Sequence, residues 1–509
     1  MSKKLILNSL SGTMLYGINI VVVFIMSPII IRVLGNRDYG LWELVMSVIG
    51  YMGLLDLGIG PAMVRFVAVA DGKQDRVDLQ RTISTAFAFF LGAGALALSF
   101  FFVLSYSPQL IAGGQTKDIA NVGTVFLLLG VNACLSFPLQ VFITTLMGVQ
   151  RHYFINFTRA FLAIIRALIV FFLFRHYPGY GLILLALLEP FFTFAQFLLF
   201  AGAVYYDKAI PNLAISAVSF SKLKELFTFG VKSTIMLVAS RLQNQSVPLI
   251  IANVIGLGSV VYFVMPNRLV DYAKGLTQAV GFPLAPYFGA SIGRGDTEGL
   301  VSSWLKSSLA LQVFSLAAPL AILFYGEVFL SIWIGQEYAT AGRWVIIFLL
   351  FGLVADALAI NAMRILMAQG LHGRCALIWL ILSIFSIPLG IVGASNWGLA
   401  GVTLGTTLVM VLGSAASLVL ACSSMQVSLK RYFNETVMRL MFPLIVLVFT
   451  LFVQTNFMPV KTYIDILFQI LVGGSIYMIA VWRFTLENDV RDKLLVHLKL
   501  KRCSYGKQG

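Results

Sequence analysis

The chain has 509 residues, 59% of them hydrophobic and only 11% charged, with a mean hydropathy of +0.91. No soluble core needs that much apolar surface, and no ten-residue alternating strand pattern recurs, so the composition predicts an all-α polytopic membrane protein rather than a soluble enzyme or a barrel. The formal charge of +15 fits basic loops gathered on the inner side of a membrane better than a nucleic-acid surface, and no nucleic-acid partner is expected.

Runs long enough to cross about 30 Å of hydrocarbon fall at 11–33, 41–69, 82–106, 119–147, 157–175, 182–206, 229–255, 260–287, 304–326, 342–369, 376–394, 399–423, 437–457 and 463–484, which makes fourteen spans. MSKK followed by polar Asn8, Ser9 and Ser11 reads as a retained first span that starts inside, not a cleaved leader. An even number of spans then leaves both termini in the cytoplasm. The charges support this register. Lys73, Arg76, Arg81, Arg151, Lys222, Lys224, Lys430 and Arg431 fall on predicted inner segments, while the outer ones carry only Arg32, Arg37, Lys117, Arg175, Arg343 and Lys461. Trp42, Trp304, Trp344, Trp379, Trp397 and Trp482 fall near predicted span ends, as an aromatic belt does.

The connections divide the chain into six spans (1–206), a linker (207–228), six more spans (229–424), two extra spans (425–485) and a basic tail (486–509) suited to anionic headgroups. Within the linker, SFSKLKELFTFG is expected to lie along the inner surface as a short amphipathic helix. The two six-span halves repeat. SPIIIRVLGNRDYGLWELV near the start matches VPLIIANVIGLGSVVYFVM later, with Pro28 aligned to Pro248 and Gly35 to Gly256, an offset near 220 residues. Odd-numbered spans start inside in both halves, so the repeat is parallel, with its axis along the membrane normal and a cavity between the halves.

Catalytic patterns are missing. GVKST at 230–234 lacks the adjacent Gly-Lys of a phosphate-binding loop, and there is no HExxH. His152, His176, His372 and His497 lie far apart, and Cys134, Cys375, Cys422 and Cys503 show no paired spacing and read as free thiols. No metal, cofactor or catalytic residue is expected. A membrane glycan polymerase or ligase would need a large outer loop, and the outer connections are short.

The chemistry therefore lies in charges within the spans, each costing roughly 2.5–3.5 kcal/mol at membrane depth unless it faces a partner or a wet cavity. Residues 229–296 organise the set: Arg241 lies near the middle of one long span, and Arg268, Asp271 and Lys274 fall on one broad face of the next at about 100° per residue. Arg241, Arg268, Arg166, Lys274 and Arg364 are the candidate substrate-facing cations. Asp271, Asp356, Asp56 and Glu189 are candidate ion-coupling or pairing acids. Arg364 stands about 80° from Asp356 on a continuous helix, so the two can face the same space. The plainer readings are an intrahelical pair of Asp271 with Arg268 or Lys274, and snorkelling of Arg65 and Lys232 from the inner ends. Guanidinium forks suit phosphate oxygens, so a basic cavity points to an anionic, phosphate-bearing cargo. Neighbouring Gln243 and Asn244 suit sugar hydroxyls.

The opening LGNRDYGLWELVMSVIGYMGLLDLGIGPAMVRFVA and the later VVYFVMPNRLVDYAKGLTQAVGFPLAPYFGASIGRGD resemble polysaccharide-export proteins of the MOP (multidrug/oligosaccharidyl-lipid/polysaccharide) superfamily, and among them the Wzx-type O-antigen flippases. That resemblance implies a V-shaped pair of six-helix bundles plus two C-terminal helices in the bacterial cytoplasmic (inner) membrane. It implies alternating access that carries an undecaprenyl-pyrophosphate-linked oligosaccharide to the outer leaflet, with membrane lipids, an H+ or Na+ counter-ion, a polysaccharide polymerase and a chain-length regulator as partners. By analogy with lipid II flippases, the last two spans would hold the polyprenyl tail. Two alternatives share the superfamily. A lipid II flippase would also be basic inside, whereas a MATE-like drug/cation antiporter needs an acidic first span or cavity, and span one carries no Asp or Glu.

Overall fold

The computed structural model describes residues 3–116, 119–207, 210–281 and 284–486, and these residues are helical with no strand among them. All but the first residue of the predicted tail (486–509), including Cys503, and the side chain of Lys232 lie outside the described residues. The N-terminal helices are α1 (Lys3–Met52), α2 (Ile59–Lys73), α3 (Arg76–Tyr106), a short α4 (Gln109–Ala112), α5 (Val122–Gly148), α6 (His152–His176) and α7 (Gly181–Tyr205). Then follow α8 (Phe220–Val254), α9 (Val260–Gly281), α10 (Leu284–Gly293), α11 (Thr297–Trp333), α12 (Gln336–Leu358), α13 (Ala362–Ala368) and α14 (His372–Ser424). The last three are α15 (Leu429–Glu435), α16 (Val437–Phe457) and α17 (Tyr463–Phe484).

Among the described residues ten helices are long and apolar enough to cross a membrane. Of these, α14, broken at Gly398 (φ 59°), covers two predicted spans, and α1, broken at Gly35 (φ 75°), carries the first and the start of the second, which runs on into α2. The other two predicted spans lie on α8 and α9. These are long enough, but the run Arg241, Gln243, Asn244, Gln245 on α8 and Arg268, Asp271, Lys274 on α9 makes them too polar to face lipid along their length. Over the apolar helices the surface is the inverse of a soluble protein's, with large side chains such as Leu96, Phe102, Leu168, Phe191 and Phe449 at half or more of full exposure.

Residues Met1–Val264 with Ala376–Val409 form one compact unit, and Met265–Cys375 with Met410–Gly509 form a second. In the first unit α5 is the most enclosed span, packed against α2, α3 and α7, and Thr193 on α7 donates to Asn132 on α5 at 2.6 Å. The α1–α6 seam is polar at one end: Asn8 donates to the Gln150 carbonyl (3.1 Å) and accepts from the Tyr153 amide (3.0 Å), and Asn156 donates to Ser11 (3.0 Å). The aligned glycines of the repeat behave alike. Gly35 (φ 75°) and Gly256 (φ 139°) each close the first helix of their half in a conformation that side chains disfavour, and Pro28 and Pro248 each lie inside that helix.

In the second unit α16 and α17 pack on α11 around Val313, Leu316, Tyr325, Leu447 and Tyr477. Buried hydrogen bonds fix that packing: Tyr325 donates to Gln469 (2.9 Å) or Gln454 (3.2 Å), and Tyr477 to the Val313 carbonyl (2.8 Å).

Two sequence expectations change. The segment SFSKLKELFTFG is not a separate surface helix; residues 220–230 are the first turns of α8, started by Ser219, which accepts from the Lys222 amide at 3.4 Å. Trp304 is no belt residue, because its ring is fully buried against Tyr432, 5.1 Å between centroids, and Trp333 is also buried. Belt-like exposure holds for Trp344 and Trp397. Among the described residues Cys134, Cys375 and Cys422 form no disulfide, and Cys375 hydrogen-bonds with Ser417 at 3.0 Å.

Candidate functional site

In the first unit the polar run of α8 lies against a broken span. The helix that leaves Gly35 stops at Met52, passes through a 3-10 turn (Gly53–Asp56), turns at Leu57 (φ 50°) and Gly58 (φ 78°), and resumes as α2. Four glycines make room there. A Cβ on Gly50 would stand 2.5 Å from the Gln245 amide carbon, and one on Gly53 would stand 3.3 Å from Arg241 Nη2. Gly58 and Gly230 meet backbone to backbone, so that a Cβ on Gly58 would come 2.2 Å from the Gly230 carbonyl oxygen and one on Gly230 2.5 Å from that of Gly58. Tyr51 and Ser246 hydrogen-bond between the two helices. Asp56 accepts from the Gly60 amide at 2.7 Å and so ties down the restart of α2.

Arg241 is half-buried beside this break, and among the described residues no hydrogen bond or ion pair reaches its guanidinium. An unpaired guanidinium at that depth is costly unless water or an anion meets it. Asn244 is exposed and donates to the Ser240 carbonyl at 2.9 Å, while Gln243 has no hydrogen-bond partner among the described residues. Elsewhere in this unit Arg166 on α6 and Glu189 on α7 form a bidentate pair, with Nη1 to Oε2 at 3.0 Å and a second, shorter contact from Nη2 to Oε1. That geometry satisfies the fork of Arg166. The sequence reading did not single out Arg159, which is half-buried on α6 without a hydrogen bond or ion pair among the described residues. Its position one turn beyond Asn156, on the polar face toward α1, is the signal that marks it.

In the second unit the acids and bases of α9, α12 and α13 come together. Lys274 reaches Asp356 at 3.6 Å. Asp271 accepts from Asn267 at 2.8 Å, and the charges of Lys274 and Arg268 both act on it. Asp356 and Arg364 are not on one continuous helix, because α12 ends at Leu358 and α13 begins at Ala362. The angular argument for that pair therefore fails, although the Asp356 charge still acts on Arg364. The break frees carbonyls that side chains then satisfy. Tyr432 donates to Leu358 at 2.8 Å, Gln312 to the same carbonyl at 3.2 Å, and Arg364 Nη1 to Ile360 at 2.6 Å and to Asn361 Oδ1 at 3.1 Å. Asn361, fully buried, donates to Ser307 or Ser308. Non-helical backbone at membrane depth persists where such partners exist. Among the described residues no group of three or more His, Cys, Asp or Glu stands together in a way that could hold a metal.

Arg241 is thus an unpaired guanidinium beside a glycine-lined break, on a helix too polar for lipid. The chain superposes on the lipid II flippase MurJ in an inward closed conformation with a TM-score of 0.72, at 15% identity, covering 96% of this chain and 100% of that one. It superposes on an inward-facing multidrug resistance MATE family transporter of the MOP superfamily with a TM-score of 0.70, at 14% identity, covering 81% and 94%. The chain has the fold that these two proteins share. No protein-family model matches it. Among curated proteins, it is 25% identical over 410 residues to the uncharacterized membrane protein EpsK of Bacillus subtilis, covering 77% of each chain. It is 24% identical over 354 residues to a Shigella flexneri protein named "Putative O-antigen transporter", covering 68% of this chain and 81% of that one. The resemblance read from the sequence is thus upheld, and the similar proteins whose names state a function are transporters or flippases, not enzymes.

Proposed function

We propose that this MOP-fold protein is a flippase for an undecaprenyl-pyrophosphate-linked oligosaccharide, the repeat unit of O-antigen or a similar surface polysaccharide. It moves the unit from the inner to the outer leaflet of the cytoplasmic membrane by alternating access. The observation that carries this reading is the half-buried, unpartnered guanidinium of Arg241 beside the 53–58 break. A pyrophosphate offers the paired oxygens such a fork holds best. Unaided flipping would bury many sugar hydroxyls at several kcal/mol each, and the polar run of α8 supplies partners for them. The name of the Shigella flexneri relative supports the class of cargo.

In this reading Arg241 takes the pyrophosphate, and Arg268 and Lys274 carry further positive charge along α9. Arg166 and Arg364, held by Glu189 and by the Ile360 carbonyl, keep the frame in register. Asp271 and Asp356 are the candidate carriers of a coupled proton or sodium ion, and a polymerase and a chain-length regulator are the partners that would receive the exported unit.

The test is a deletion strain in which lipid-linked single oligosaccharide units are assigned to a leaflet. Accumulation on the inner leaflet is expected. Accumulation on the outer leaflet would place the block after export and favour a polymerase or ligase. Accumulation of a peptidoglycan precursor instead would favour lipid II, and no change in any lipid-linked glycan would favour a drug antiporter.

A further inference from the structure

Away from the polar run of α8, its first turns and α2 form a groove of about 600 Å³ lined by Arg65, Phe66, Ser221, Lys224, Glu225, Thr228 and Phe229. Arg65 lies over the Phe229 ring at 4.4 Å and over the Phe66 ring at 5.8 Å, and those two rings meet edge to face at 6.0 Å. Stacking occupies the faces of a guanidinium and fixes its plane. Among the described residues its N–H groups have no hydrogen bond or ion pair. The nearby acids are already engaged: Lys222 bridges Asp78 at 2.6 Å and Glu225 at 2.8 Å. Burial pushes the Lys222 ammonium down, but its hydrogen bonds to those two carboxylates outweigh this and raise it, so the bridge stays charged. Lys224 is exposed and has no ion pair among the described residues. The groove thus carries two cations with no ion pair of their own, Arg65 and Lys224, and the Ser221 hydroxyl, and together with Lys222, Asp78 and Glu225 the cluster keeps one net positive charge.

Its surroundings say where the ligand comes from. Ile215 is 94% exposed and Phe220 82%, with Val218 and Phe227 also exposed. Such residues belong in acyl chains, so the mouth of the groove lies at the headgroup level.

We propose that this groove is a binding site for the headgroup phosphate of an anionic phospholipid, held by the N–H groups of Arg65 and by Lys224. The site is separate from Arg241 and does not depend on the identity of the cargo. A phospholipid seated there braces the start of α8 against α2, close to the Gly58–Gly230 contact.

The full-length protein in detergent, titrated with phosphatidylglycerol or phosphatidylcholine and read by native mass spectrometry, tests this. The wild type should retain phosphatidylglycerol about tenfold better than phosphatidylcholine, and Arg65→Gln should lower that retention about tenfold. Lys224→Gln, an exposed change with no packing role, should lower it severalfold, and Arg343→Gln, far from the groove in sequence, should leave it unchanged. Equal retention by the wild type and both groove variants would overturn the proposal. So would displacement of the lipid by millimolar inorganic pyrophosphate, which would show that the groove takes a soluble diphosphate.

Discussion

The two helix breaks solve one problem in opposite ways. At 359–361 the freed carbonyls are taken by Tyr432, Gln312 and Arg364, so the arginine there is turned to the chain's own backbone. At 53–58 the backbone is closed locally through Leu57 and Gly58 at positive φ and through Asp56 on the Gly60 amide. The arginine there, Arg241, is left with no hydrogen bond among the described residues. An arginine near a break is therefore not one kind of residue. Whether it caps the backbone or serves a ligand depends on how the break satisfies its own polar groups.

This contrast can be broken by substitution. Arg241→Ala should show the largest effect, a loss of export of about tenfold to a hundredfold, since hydrogen bonds to charged groups are worth about 1.5–3 kcal/mol each. Thermal stability in detergent should be unchanged or raised, because the variant removes a buried charge without a partner. Export measured at matched protein levels decides it, and wild-type export by this variant would sink the contrast. Gly53→Leu comes next. Its Cβ would stand 3.3 Å from Arg241 Nη2 and the rest of the side chain would push the guanidinium away, so export should fall severalfold while the protein still folds.

At the other break the effect should move from transport to stability. Tyr432→Phe removes the 2.8 Å bond to Leu358 and should cost about 1–3 kcal/mol, seen as earlier thermal unfolding in detergent, with export per folded molecule little changed. A large export defect in a stable Tyr432→Phe protein would mean the two breaks are functionally alike. The smallest effect is expected at the exposed pair Arg343–Glu327, 3.5 Å apart with side chains 64% and 40% exposed. Arg343→Ala should change stability by about 0.5 kcal/mol or less.

Most of the fold was legible because its driving pattern is local. Long apolar runs bounded by charge mark spans, and Gly35 and Gly256 mark the turns of the repeat. The unusual polarity of α8 and α9 was also visible as charge where lipid forbids it. What stayed hidden needed contacts between helices. Arg166 and Glu189 are 23 residues apart on separate helices, and no spacing rule joins them. The 359–361 break contains neither Gly nor Pro, only Asn361 as a turn residue, so the run reads as continuous. The 53–58 break had a signal in the glycines of GLLDLGIG, but within an apolar run that signal was outweighed by hydropathy.

The Gly58–Gly230 contact has a mechanical consequence. Because each backbone blocks a Cβ on the other, the two helices are as close there as they can be, and the spot acts as a fulcrum for α8. Arg241 is eleven residues further along, about 16 Å at 1.5 Å per residue. A roll or tilt of about 10° at the fulcrum swings the far arm by about 3 Å, roughly the difference between a hydrogen bond made and one lost. A side chain at either glycine would lift the helix off its pivot, and the lever arm that carries the arginine would lose its fixed point.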